Sequence, residues 1–126
     1  MSQKTWLGRR VFVIEDEGLV AMMIEDMLEE IGCELAGTAS TLDQALAVAS
    51  SLEADFVILD LNLGGELAFD VADRLIERGM PLVISTGYGG HALPERLQNV
   101  PIVAKPFPRH ELEQAIEKAL RPRPAP

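Results

Sequence analysis

The sequence predicts an α/β protein: a doubly wound, five-stranded parallel sheet in the order 2-1-3-4-5 with helices on both faces. Three observations predict it. Apolar runs and amphipathic segments alternate five times along the 126 residues, the pattern of parallel strands joined by crossover helices. The runs Val11-Phe12-Val13-Ile14 and Phe56-Val57-Ile58-Leu59 carry no polar alternation, as in strands buried on both faces. Polar or charged residues follow four of the runs, at the carboxyl edge where open α/β sheets bind ligands. Right-handed crossovers leave few other topologies.

Taken in order, residues 1–9 read as a loose lead-in and Arg10–Ile14 as the first strand. Leu19, Val20, Met23, Met27, Leu28 and Ile31 recur at helical spacing and are expected on one buried face. Gly32 then ends the helix. Glu34–Ala39 is a second, weaker strand. Thr41, with Asp43 and Gln44 behind it, caps a helix carrying Leu42, Ala45, Leu46 and Ala49. Asp55–Asp60 is the third strand. Leu67, Val71, Leu75 and Ile76 mark a helix that ends before Gly79. Pro81–Thr86 is the fourth strand, with proline acceptable at its first position. Glycines and Pro94 weaken any helix before Asn99, so a short or mobile one is expected there. Pro101–Ala104 is the fifth strand. Leu112, Ala115, Ile116, Ala119 and Leu120 make the last amphipathic helix, which completes one domain over residues 10–120. Residues 121–126 form a Pro-rich tail expected to be disordered.

Composition narrows the function. A net charge of −9 opposes binding to a phosphate backbone, so no nucleic acid is expected as a partner. No apolar run approaches the roughly 20 residues of a membrane span, and the polar, basic first ten residues are no secretory signal. Membrane insertion is therefore not expected, and the cytoplasm is the expected location. Cys33, the single cysteine, reads as a buried structural thiol.

The chemistry gathers at the strand ends. Glu15 and Asp16 follow the first strand, Asp60 ends the third, Thr86 the fourth, and Lys105 follows the fifth. The proposed topology puts all of them on one edge. Three crowded carboxylates disfavour mutual ionisation, and a hard divalent cation resolves the conflict. Mg²⁺ takes oxygen ligands and usually few carboxylates. Asp16 and Asp60 suit direct ligation, Glu15 ligation through a water, and the Asn62 backbone carbonyl a further place. Lys105 and Thr86 beside such a metal make sense if a phosphoryl group also sits there, each neutralising or hydrogen-bonding one of its oxygens. Asp60 on the central strand is then the best nucleophile, giving an acyl phosphate. Taken singly, Lys105 reads equally as a salt-bridge partner for the acids, and Asp60 or Thr86 as a turn cap.

Val13-Ile14-Glu15-Asp16-Glu17, Ile58-Leu59-Asp60, Ser85-Thr86-Gly87 and Lys105-Pro106-Phe107, in this order and spacing, resemble the receiver domain of bacterial two-component response regulators over about residues 10–120. The resemblance implies a flavodoxin-like (CheY-like) fold. It also implies Mg²⁺-dependent transfer of a phosphoryl group from a histidine kinase or histidine phosphotransfer protein onto Asp60. By motif position Glu15 and Asp16 match the acidic pair, Thr86 the switch hydroxyl and Lys105 the family's lysine. The Lys105–Pro106 peptide is often cis in this family.

Several positions depart from the family pattern. Gly64, followed by Gly65, stands where a proline is common, which implies a more pliant loop. Ile102 stands where an aromatic switch residue is common. Pro81-Leu82-Val83-Ile84-Ser85-Thr86-Gly87-Tyr88 is similar to the Pro-Phe-x-Phe-Ala-Thr-Gly-Tyr stretch of the FAT GUY subgroup of mostly single-domain receivers, which would make Tyr88 the responding aromatic. The expected readout surface surrounds Ala92, Leu93, Ile102 and the last helix, with output by contact with a downstream protein. A receiver cut from a longer regulator would read the same.

Three rivals belong to other classes. A pseudo-receiver would bind partners without phosphorylation. A haloacid-dehalogenase-type phosphatase places its nucleophile after the first strand with a second Asp two positions on, where this chain has Asn62. A flavodoxin-type carrier would need a phosphate loop where Glu15-Asp16-Glu17 stands.

Overall fold

The computed structural model describes residues 4–87 and 93–121. Among these residues, seven strands and four α-helices follow one another as β1 (Arg10–Ile14), α1 (Gly18–Ile31), β2 (Glu34–Ala39), α2 (Leu42–Ala49), β3 (Phe56–Asp60), β4 (Asn62–Leu63), β5 (Glu66–Leu67), α3 (Phe69–Glu77), β6 (Leu82–Thr86), β7 (Ile102–Ala104) and α4 (Arg109–Leu120). The main sheet is parallel in the order β2-β1-β3-β6-β7. Counting its five strands alone, that is the expected 2-1-3-4-5.

Side-chain alternation along the strands builds two cores. Val11, Val13, Phe56, Ile58, Val83 and Val103 face α1 and α4 and pack on Ile24, Leu28, Leu112 and Ile116. Phe12, Ile14, Val57, Leu59 and Ile84 face the other way and pack on Ala45 and Ala49 of α2 and on Val71 and Leu75 of α3. Every residue of β3 is buried, which explains its unbroken apolar run. Thr41 caps α2 as its sequence implies, its side chain accepting the Gln44 N–H at 3.1 Å. Gly32 ends α1 in the left-handed region, at φ 97°.

Four sequence expectations need correction. The buried stripe of α1 is Ile24, Leu28 and Ile31, whereas Leu19 and Met23 are 78% and 53% exposed. Leu19-Val20-Ala21-Met22-Met23-Ile24 is apolar all round, so periodicity did not single out a face. Leu67 does not open a helix but lies in β5, exposed. The Gly64–Gly65 segment, expected to be a pliant loop, is the two-residue turn of an antiparallel β4–β5 hairpin. The lead-in is tied down from Lys4 onward: Trp6 is 3% exposed and packs in the α1/α4 core. Its Nε1–H donates to the Ile31 carbonyl at 3.0 Å, which caps the end of α1.

Before β7 the described residues contain only a short 3₁₀ turn, Glu95–Leu97. Leu97 anchors it in the core, and Arg96 grips Asp73 of α3 through two bonds of 2.7 and 2.9 Å. The expected short helix is thus one tight turn. Tyr88, Ala92 and residues 122–126 lie outside the described residues.

Cys33 is buried, and burial pushes its thiol from 9.0 up to about 11. The unfolded chain therefore loses this proton first as the pH rises. This contribution to stability is complete below pH 9 and drains away between pH 9 and about 11. Denaturant unfolding across that window should show a falling midpoint in the wild type and a flatter profile in Cys33→Ala.

Candidate functional site

Parallel register sets the site. β1 and β3 lie side by side with Ile14 opposite Leu59, so Glu15 and Asp60 emerge together at the carboxyl edge. Glu15 is 2% and Asp60 2% exposed. Asp16, the next residue, is half-buried. One carboxylate oxygen from each of Glu15, Asp16 and Asp60 lies within 4.8 Å of the others.

Lys105 enters from the far side of the sheet. Its backbone N–H donates to the Thr86 carbonyl at 2.7 Å, extending the β6–β7 ladder. The Lys105–Pro106 peptide that follows is cis. The ammonium bridges two acids, with Nζ 3.0 Å from Glu15 Oε1 and 2.9 Å from Asp60 Oδ2. These carboxylates also accept main-chain donors: Glu17 N–H reaches Glu15 Oε2 at 3.1 Å and Asn62 N–H reaches Asp60 Oδ1 at 2.9 Å. Asp16 Oδ2 accepts the Gly64 N–H at 2.9 Å.

Electrostatics separates the three acids. Burial dominates at Glu15 and pushes its carboxyl up to about 7, against the opposing pull of the Glu17 N–H and Lys105. At Asp16 partial burial works upward, but the Gly64 N–H and neighbouring hydrogen bonds outweigh it and hold the carboxyl below its ordinary value. Burial works to lower Lys105, yet Asp60 and Glu15 raise it, so the ammonium stays charged. With all three acids ionised, one ammonium leaves two negative charges uncancelled, which a single divalent cation would balance. The donors are hard oxygens, the set that Mg²⁺ prefers.

The remaining sequence-predicted residues stand nearby. Thr86 ends β6 at the same edge, half-buried. Asn62 begins β4, two residues after Asp60, with its side chain turned to the hairpin: Oδ1 accepts the Gly65 N–H at 2.8 Å. Ile102 sits on β7, 47% exposed and opposite Ile84, apart from the acid cluster.

Two features were not foreseen. Ser85, opposite Asp60 in the sheet, is 1% exposed, and its hydroxyl finds no hydrogen-bond partner among the described residues. Its place beside Thr86 on an apolar strand was the available signal. A groove of about 280 Å³ also opens beside Lys105, lined by Val20, Met23, Ile24, Met27 and Phe107. The excess of apolar residues in the first turns of α1 was the signal for it.

An α/β sheet of this order with acids and a lysine at its carboxyl edge is the architecture of a receiver. The chain belongs to the family of response regulator receiver domains, whose pattern it matches over residues 11–117. SdrG from Sphingomonas melonis Fr1 superimposes with a TM-score of 0.79 at 36% identity, over 93% of this chain and 99% of its own. The response regulator PhyR from Brucella abortus gives 0.74 at 30% identity, over 91% of this chain and 49% of its own. The transcriptional regulatory protein PdtaR of Mycobacterium tuberculosis is 33% identical over 116 residues, which is 89% of this chain and 57% of that protein. PhyR of Methylorubrum extorquens is 30% identical over 118 residues, 90% of this chain and 44% of that protein. The chain thus spans about half the length of the curated relatives it matches.

Lys105 is the sole cation bonded to Glu15 and Asp60 among the described residues. Removing one partner from a buried ionic cluster typically costs about 3–5 kcal/mol. Lys105→Met should lower the metal-free stability by about 3 kcal/mol in urea unfolding. Adding Glu15→Gln should return part of the loss, because one facing carboxylate is then gone.

Proposed function

We propose that this receiver takes a phosphoryl group from a phosphohistidine of a sensor kinase or phosphotransfer protein onto Asp60, in a reaction that needs Mg²⁺. The supporting observation is the convergence of Glu15, Asp16 and Asp60 around the Lys105 ammonium. Asp16, Asp60 and the Asn62 carbonyl would hold the ion, with Glu15 joined through a water. Bound there, Mg²⁺ supplies positive charge against the phosphoryl oxygens.

The chain's own groups carry the rest of the step. A carboxylate oxygen of Asp60 forms the new bond to phosphorus as the phosphorus–nitrogen bond breaks. The leaving nitrogen keeps the electron pair, and the freed imidazole becomes neutral by taking a proton from solvent. The Lys105 ammonium donates a hydrogen bond to a phosphoryl oxygen, and the Thr86 hydroxyl donates one to another. The partner's histidine must come within bonding distance of Asp60, so its carrier has to cover the rim of this edge. The groove beside Lys105 and the exposed Leu19, Met22 and Met23 supply an apolar footing for it.

The added charge and acceptor oxygens then draw Thr86 and Lys105 inward. That shifts a pre-existing equilibrium at the surface formed by Leu93, Ile102 and α4, which a downstream protein reads. The site lies in the cytoplasm in this reading, and the likeness of Ser85-Thr86-Gly87-Tyr88 to the FAT GUY stretch supports a place among those receivers.

Intact-mass measurement after incubation with acetyl phosphate should show one added phosphoryl group with Mg²⁺, none without it, and none in Asp60→Asn. No uptake by a folded, Mg²⁺-binding wild type from either acetyl phosphate or a phosphohistidine donor would favour the pseudo-receiver. Thr86→Ala should still be phosphorylated, but its amide NMR shifts at Ile102 and Leu93 should no longer follow phosphorylation. Undiminished shifts would exclude the Thr86 relay.

A further inference from the structure

The β4–β5 hairpin is bonded to two of the three acids at once. Leu63 pairs with Glu66 across a two-residue turn, with Gly64 at φ 64° and Gly65 at φ 90°. A two-residue hairpin with positive φ at both central positions is a type I′ turn. Nothing lies within 4 Å of a side-chain carbon added at either glycine. The glycines are therefore required by backbone conformation and not by space.

That conformation decides where the amides go. A β-turn closes through the first carbonyl and the fourth N–H, which leaves the N–H groups of both central residues without partners in the turn. Both find one. Gly65 N–H donates to Asn62 Oδ1 at 2.8 Å, fixing the turn to the start of β4. Gly64 N–H donates to Asp16 Oδ2 at 2.9 Å, across 48 residues of sequence. Asn62 N–H in turn donates to Asp60 Oδ1 at 2.9 Å. A continuous set of main-chain donors thus runs from Asp60 through the hairpin tip to Asp16.

We infer that Gly64 is a positioning residue for the ion site: its left-handed conformation aims a backbone N–H that holds the Asp16 carboxylate in place to ligate Mg²⁺. This rests on the Mg²⁺ site proposed above. A neutral N–H suits the task. It occupies one lone-pair direction of Oδ2 and leaves the other oxygen and the full carboxylate charge to a cation, whereas a lysine in its place would cancel that charge.

The test compares Gly64→Ala, strained at positive φ, with Gly64→Asn, the side chain that best tolerates that region. Mg²⁺ titration by calorimetry on otherwise intact protein should show affinity falling about tenfold in Gly64→Ala, the equivalent of one charge-assisted hydrogen bond. Gly64→Asn should recover most of it. In the metal-free protein the amide proton of Gly64 should lie downfield in NMR spectra and move upfield in Asp16→Asn. Wild-type Mg²⁺ affinity in Gly64→Ala, or equal losses in the Ala and Asn variants, would overturn the role of Gly64 and leave the ion site standing. Failure of the wild type to bind Mg²⁺ would remove the ion site itself.

Discussion

The Lys105 ammonium, held between Glu15 and Asp60, is the interaction on which the rest of this edge depends. Two buried carboxylates at the ends of adjacent strands are an unfavourable product of parallel register, and each costs several kcal/mol to desolvate. The cation that answers them comes from β7, on the opposite margin of the sheet from β2. It arrives at the right height because the Lys105 N–H continues the β6–β7 ladder onto Thr86. Backbone hydrogen bonding thus fixes the root of the side chain, and the carboxylates fix its tip. At Glu15 burial outweighs the pull of the Glu17 N–H and Lys105, and the carboxyl is pushed up. Among the described residues no second cation is bonded to Glu15 or Asp60.

Elsewhere the described residues avoid such conflicts. Both faces of the sheet are covered by apolar helix stripes, and the buried polar or charged residues among the described ones are Glu15, Asp60 and Ser85. All three belong to the carboxyl edge, Ser85 being the register partner of Asp60. Among the described residues, buried charge and the buried side-chain hydroxyl that lacks a partner are confined to the edge where chemistry is expected, the distribution that a functional site produces in an otherwise consistent fold. The two cores give the edge a rigid base. Leu97 in one and Trp6 in the other tie short peripheral segments to the layers that carry the strands.

Much of this was legible because it depends on local pattern. Continuous apolar runs ending in acids located β1 and β3, and the alternation of strands with helices fixed the sheet order. The convergence of Glu15, Asp60 and Lys105 followed from that order. The failures share a cause, which is competition between signals at short range. Six apolar residues in a row at the start of α1 hid which of them the core would take. Trp6 stands in a polar lead-in without periodicity, so nothing local shows that its indole reaches the end of α1. Leu67 fits a helical spacing with Val71 but is claimed by a six-residue hairpin whose two-residue strands are too short to register as strands. The Gly-Gly pair carried a turn signature as well as a flexibility signature, and the flanking Leu63 and Glu66 decided between them only through pairing in space.

The same comparison separates two ways of holding an acid. Glu15 and Asp60 are each held by a backbone N–H and also by the Lys105 ammonium, which cancels part of their charge. Asp16 is held by a dipole from the Gly64 amide, which restricts its position and leaves its charge in place. Under the proposed reading a divalent cation meets one fully anionic ligand already oriented and two that Lys105 must share. An ion held by Asp16 and Asp60, with Glu15 joined through a water, would supply charge that Lys105 alone now gives these acids, and the ammonium would be freer to meet the oxygens of a phosphoryl group. The hairpin amides, bonded to Asp60 and Asp16, would leave the charge of both acids to that ion.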